Sequence, residues 1–338
     1  MTSPQPAESR RWGLPWPGAE IAAEAEQSGG EAFCTGEFAD RDAYVSLAQL
    51  AEKTERAQIG TGVAYAFTRS PWAHAASIRQ IHQEAPGRVF LGLGAGTRRM
   101  NTDWFGTEFQ PVLSRMAELV QAIRAFLHAP NMKTVRFEGE HYQIKAAIRA
   151  PVMGEIDVPI LIGAFNRGML GVVGRFADGV IGHGLFTDRY WNECVHPRID
   201  EGARAANRDP DALRRWGWLI TAIDDDDPER ASLDARRMIA FYLTVKTYDS
   251  LVELHGWQEP VAAIRAAFAK GDTDTMASAV SDEMLDAISI HGTLEEARQR
   301  LAARKALPQL CFSSPPSFLV SPRRRAAYAR GSIALLAS

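Results

Sequence analysis

Eight short apolar runs alternate with helical stretches along the chain, and that alternation limits the fold more than any other feature. They lie at residues 11–15, 31–38, 58–67, 89–94, 159–164, 178–182, 216–223 and 309–313. Strand-like runs separated by helices, with no Greek-key spacing, point to parallel βα units. Tyr44, Leu47, Ala48 and Ala51 fall on one helical face, and Val112, Met116, Leu119, Val120, Ile123 and Leu127 trace another. Pro71 is placed to open a helix, and Thr293 with Glu296 makes a capping box. Residues 130–158 break the rhythm, and residues 135–144 suit a small hairpin rather than a barrel strand. The economical reading is an α/β fold, a single (β/α)8 TIM barrel over residues 11–338 with an insertion segment at 130–158 and a disordered lead at 1–10. Two doubly wound domains are the alternative.

Composition removes several function classes. The formal net charge is −3 over 338 residues, which offers no basic field to nucleic acid or anionic lipid. No uninterrupted apolar run reaches the roughly 18 residues of a membrane span. Cys34, Cys194 and Cys311 form no CxxC pair, which suits a reducing compartment. The first residues lack the apolar core of a secretory signal. The expectation is a cytoplasmic enzyme acting on a small molecule, with neither nucleic acid nor membrane as a partner.

Barrel enzymes work at the carboxyl ends of their strands. The second run ends at Glu37-Phe38, the third at Gly62-Val63-Ala64-Tyr65, the fourth at Gly94-Ala95-Gly96-Thr97, the fifth at Ala164-Phe165-Asn166-Arg167-Gly168 and the sixth at His183. Gly92, Gly94 and Gly96 leave one strand edge bare, which would let a flat ring or a phosphate approach the backbone. A strand bend at a tight barrel corner explains them equally. The turn Asn166-Arg167-Gly168 leads from strand to helix, where first-turn N–H groups and Arg167 could hold an anion, or simply form a βα turn. Glu37 is a candidate acid or base, or else a carboxylate bonded to backbone or to Arg69. His183 could protonate a substrate or bond a cofactor, or be a polar loop residue. His74 shares a face with Ile78 and Ile81 and reads as a packing residue, His82 and His128 as surface, and His291 as structural. Trp72 and Trp104 are candidates for a pocket wall or for plain packing. No His, Asp and Glu set has ligand spacing, so no metal is expected.

Three segments carry a family resemblance: Ile59-Gly60-Thr61-Gly62-Val63, Thr68-Arg69-Ser70-Pro71, and Gly87-Arg88-Val89-Phe90-Leu91-Gly92-Leu93-Gly94-Ala95-Gly96. Phe137-Glu138-Gly139-Glu140-His141-Tyr142, the stretch from Gly168-Met169-Leu170 to Ala177-Asp178-Gly179-Val180, and His291-Gly292-Thr293-Leu294-Glu295-Glu296 follow in order. Together they resemble the bacterial luciferase-like flavin and deazaflavin oxidoreductases, in style nearest the branch with methylenetetrahydromethanopterin reductase, which uses coenzyme F420. The resemblance implies a (β/α)8 barrel and a homodimer. It implies a bulge at Gly62, Val63 and Ala64, often with a non-proline cis peptide, that backs the cofactor ring. Gly94, Ala95, Gly96 and Thr97 would follow the cofactor tail, and Phe165, Asn166, Arg167, Gly168 and Met169 would surround its phosphate. Sugar-phosphate dehydrogenases of this family keep an Asp-His pair and an acid where this chain has Glu37-Phe38 and Thr97, so their acid–base scheme does not carry over. The implied activity is F420-dependent hydride transfer to a C=C or C=N bond of a small organic substrate. An FMNH2-dependent monooxygenase and a non-catalytic flavin-binding barrel are the alternatives.

Overall fold

The computed structural model describes residues 11–15 and 19–337, so the lead expected at 1–10 lies outside the described residues. Eight parallel strands close on themselves in chain order: β1 (Arg11–Pro15), β2 (Ala32–Thr35), β3 (Gln58–Thr61), β4 (Val89–Gly94), β5 (Ile160–Gly163), β6 (Gly179–Gly182), β7 (Arg214–Ile223) and β8 (Leu310–Ser314). β8 returns to β1, with Phe312 opposite Gly13, and completes the (β/α)8 barrel. Each of the eight predicted runs contributes one of these strands. The second is shorter than its apolar run, because the chain leaves the sheet after Thr35.

The third run is interrupted. β3 stops at Thr61, the Gly62–Val63 peptide is cis, and Ala64–Tyr65 then pairs with the end of β4. A further strand, Ser289–Gly292, pairs only with the Ile220–Ile223 end of β7 and sits outside the closed ring. Within residues 130–158 the chain forms an antiparallel hairpin, Thr134–Glu138 with Gln143–Ala147. One carboxylate, Glu118, ties this hairpin to the helix Val112–Leu127 by accepting the N–H groups of Glu140 and His141 at 2.8 and 2.7 Å.

Large and small residues alternate inside the barrel, as close packing demands. Phe90, Leu161, Ile181, Trp216 and Phe312 fill the interior, with Phe90 edge-on to Trp216 at 5.0 Å. Gly60 makes this possible, since a side-chain carbon there would overlap the Phe90 ring. A larger shell of aliphatic residues, including Leu47, Ile78, Leu119 and Val173, joins the helices to the outside of the sheet. Caps set helix starts in the expected way: Ser70 ahead of Pro71, and Thr293 with Glu296 in a reciprocal capping box. Among the described residues no helix is long and apolar enough to cross a membrane.

Candidate cofactor and substrate site

A cavity of about 820 Å³ opens at the carboxyl ends of the strands. Its floor is apolar, made by Val63, Ile181 and Trp218 above the packed barrel interior. Val63 decides the floor's shape. Its methyl groups occupy the places where Gly94 and Gly163 would carry side chains: a carbon on Gly94 would overlap Val63 Cγ2, and one on Gly163 would lie 3.1 Å from Cγ1. The bare edge of β4 therefore receives protein rather than an approaching ligand, and a carbon on Gly92 would likewise overlap the Thr61 carbonyl. Gly96 differs, because its φ of +67° is one that glycine adopts freely.

One wall is the loop Ala95-Gly96-Thr97, held from beneath by Asn101. This buried amide donates to the carbonyls of Ala95 and Thr97 at 2.8 and 2.9 Å, and no sequence signal marked it. Arg98 stands at the rim over the ring of Phe109.

Opposite lies the start of the helix Arg167–Phe176, with Asn166 in the N-cap position. Its side chain makes no cap bond and turns away, donating to the Thr247 carbonyl at 3.1 Å and accepting from Ser250 Oγ at 3.0 Å. The first-turn N–H groups are thus left without the usual side-chain acceptor, at the positive end of the helix dipole. Gly168 and Met169 line the cavity there, whereas the Arg167 carbonyl is taken by Arg198 and Arg167 is not part of the lining. The chemistry of this donor set fits a cofactor phosphate, and the apolar floor fits a flat ring.

The fourth side is aromatic. His183 is surrounded by Phe165, Tyr242 and Tyr248, with ring centroids 5.7, 4.6 and 4.7 Å away. Desolvation by these rings pushes the imidazole down to about 4, so it is neutral at pH 7.

The sequence profile of the luciferase-like monooxygenases matches residues 17–308. The chain belongs to that family. A luciferase-like relative, 5,10-methylenetetrahydromethanopterin reductase of Methanolobus tindarius, is 32% identical over 286 residues, covering 84% of this chain and 85% of the relative. The solved structure of coenzyme F420-dependent tetrahydromethanopterin reductase from Methanopyrus kandleri superposes with a TM-score of 0.77 at 22% identity, over 96% of this chain and 97% of that one. A type II Baeyer–Villiger monooxygenase from Pseudomonas putida, solved with FMN, gives 0.67 at 14% identity, over 97% and 98%. At such identities the two structures speak for the fold.

In this luciferase-like barrel the predicted site residues separate into two groups. Gly62, Val63, Gly94, Ala95, Gly96, Thr97, Phe165, Asn166, Gly168, Met169 and His183 share the one cavity, while Ala64, Arg167 and Glu37 are outside its lining. Glu37 is the arginine-bonded carboxylate: Arg69 grips both its oxygens and the Tyr65 N–H donates to Oε2 at 2.8 Å. Trp72 and Trp104 are exposed and line no part of the cavity, and Trp104 packs edge-on against Phe38. His74 is buried between Tyr44 and the Ala66 carbonyl, as a packing histidine would be. Glu118, Glu140 and His141 do cluster within 4.8 Å, but Glu118 already serves the hairpin N–H groups. The sequence reading missed Trp218, Tyr242 and Tyr248. Trp218 alone had a signal, being two residues from inward-facing Trp216 on the same strand.

Proposed function

We propose that the chain is an F420-dependent oxidoreductase that moves a hydride between the deazaflavin and a small organic substrate, reducing a C=C or C=N bond. The observation that carries this reading is the uncapped helix start at Asn166 facing the apolar Val63 floor across one cavity. The relatives named for F420- or methanopterin-linked reduction support it.

When bound, the deazaflavin supplies the hydride, and the protein supplies position and a dry surface. Val63, Ile181 and Trp218 present a flat apolar bed that excludes water from the ring. The N–H groups of Gly168 and Met169 would hold the phosphate, and the loop Gly94–Thr97, fixed by Asn101, would line the tail. Glu37 is occupied by Arg69 and the Tyr65 N–H and lies outside the cavity lining.

Fluorescence titration of the purified protein with F420 and, separately, with FMN tests the proposal. Saturable F420 binding without FMN binding is expected. Binding of FMN alone would transfer the site to flavin monooxygenase chemistry, and binding of neither would end the cofactor reading.

A further inference from the structure

The turn Lys246–Tyr248 sets Tyr248 against His183 at the end of β6. Tyr248 Oη lies 3.1 Å from His183 Nε2, while the Leu185 N–H points at His183 Nδ1 from 3.2 Å. An N–H aimed at Nδ1 requires a bare lone pair there, so the proton of the neutral ring sits on Nε2. Nε2–H then donates to Tyr248 Oη, and the phenol hydrogen cannot point back at the imidazole. Among the described residues Tyr248 Oη has no second hydrogen-bond partner. Tyr248 lines the cavity, so its hydrogen is available to whatever enters.

We infer that Tyr248 is the hydrogen-bond donor that seats and polarises the substrate, and that His183 is its positioning residue. The site accordingly takes a substrate in which the atom that receives the displaced electrons carries a free lone pair, a carbonyl oxygen or a neutral imine nitrogen. A cationic iminium has no such lone pair for the phenol to meet. This inference rests on the hydride-transfer reading above. For a conjugated enone, reduced F420 would supply hydride to the far carbon and end oxidised; the C=C pair would become the enolate double bond, the carbonyl π pair would pass to oxygen, and water would protonate the enolate carbon. Tyr248 keeps its proton, and its hydrogen bond strengthens as charge builds on the oxygen. Burial supports this division of labour: it holds His183 near 4 and raises Tyr248 to about 12. The other titratable group on His183, Tyr242, is raised in the same way, and no charged side chain contributes to the histidine's shift.

Cyclohexenone labelled with carbon-13 at the carbonyl is the probe, read by infrared spectroscopy with and without oxidised F420. The carbonyl stretch is expected to fall in frequency on binding to the wild-type protein and to lose that shift in Tyr248→Phe. His183→Gln, whose amide N–H can replace Nε2–H, should keep more of the shift than His183→Leu. With reduced F420, kcat for cyclohexenone should drop about a hundredfold to a thousandfold in Tyr248→Phe. A stretch unchanged from that in buffer, or identical in wild type and Tyr248→Phe, overturns the inference. A Tyr248-dependent shift in cofactor-free protein that binds no F420 would instead sustain the donor and sink the hydride-transfer reading.

Discussion

The ends of β2 and β6 each bring a polar side chain to the barrel mouth, and they differ in what surrounds it. Glu37 is held by Arg69, which Asp42 shares, and by the Tyr65 N–H. His183 sheds its charge readily and so can live among Phe165, Tyr242 and Tyr248. The carboxylate ends with three hydrogen bonds from its neighbours. The imidazole ends with a spare hydrogen on its neighbour. A residue type rich in chemistry is thus spent on structure at one strand end, while a quieter one organises the cavity at the other.

The largest effect should come from breaking the β2 end. Arg69→Met leaves Glu37 and Asp42 facing each other without a cation, and urea unfolding should register a loss of about 3 kcal/mol. Unchanged stability would mean that the ion cluster does not lock this strand end.

The floor between the two strand ends comes next. Gly94→Ala should cost about 2 kcal/mol by crowding Val63, and it should weaken F420 binding as well. Adding Val63→Ala in the same chain should recover most of the stability. If the double variant is no better than the single, Val63 is not what the glycine accommodates.

Acid should then separate the β6 end from the β2 end. His183 titrates near 4 in the folded chain against an ordinary 6.5, so the unfolded chain takes up its proton first as pH falls. Its contribution to stability is complete above pH 6.5 and is lost as pH falls toward 4, at up to about 1.4 kcal/mol per pH unit. His74 and His196, also lowered to about 4, act in the same window. His82, His255 and His291 are lowered too, so urea midpoints across that window should fall with acid and His183→Gln should make that slope shallower without abolishing it.

The smallest effect is expected for Glu37→Gln. The amide keeps the site's shape while Asp42 still holds Arg69, so the loss should be about 1 kcal/mol with F420 affinity unchanged. A large fall in cofactor affinity would return Glu37 to the active site.

The strands were legible because their apolar runs are bounded by glycine and polar turns, and backbone pairing needs little more than that. The interruption of the third run at Gly62–Val63 was suggested only by family resemblance, since nothing in the local residue types distinguishes a bulge from a continuous strand. Between Asp188–Tyr190 and His196–Ala205 the helical stretch widens at Trp191–Val195 into a π-turn that periodicity cannot reveal. For the site, the glycines were found for an incomplete reason: their space is filled by Thr61 and Val63, a contact between separate strands. Tyr242 and Tyr248 come from the long excursion between β7 and β8, and only the closed fold returns that excursion to His183.

Val63 meets Gly94 on one strand and Gly163 on another, so three positions far apart in the chain share one small volume. Their sizes cannot drift independently. In a lineage where position 94 acquires a methyl group, position 63 must shrink or turn in step, while a methyl at 163 asks Val63 for a shift of only a fraction of an ångström.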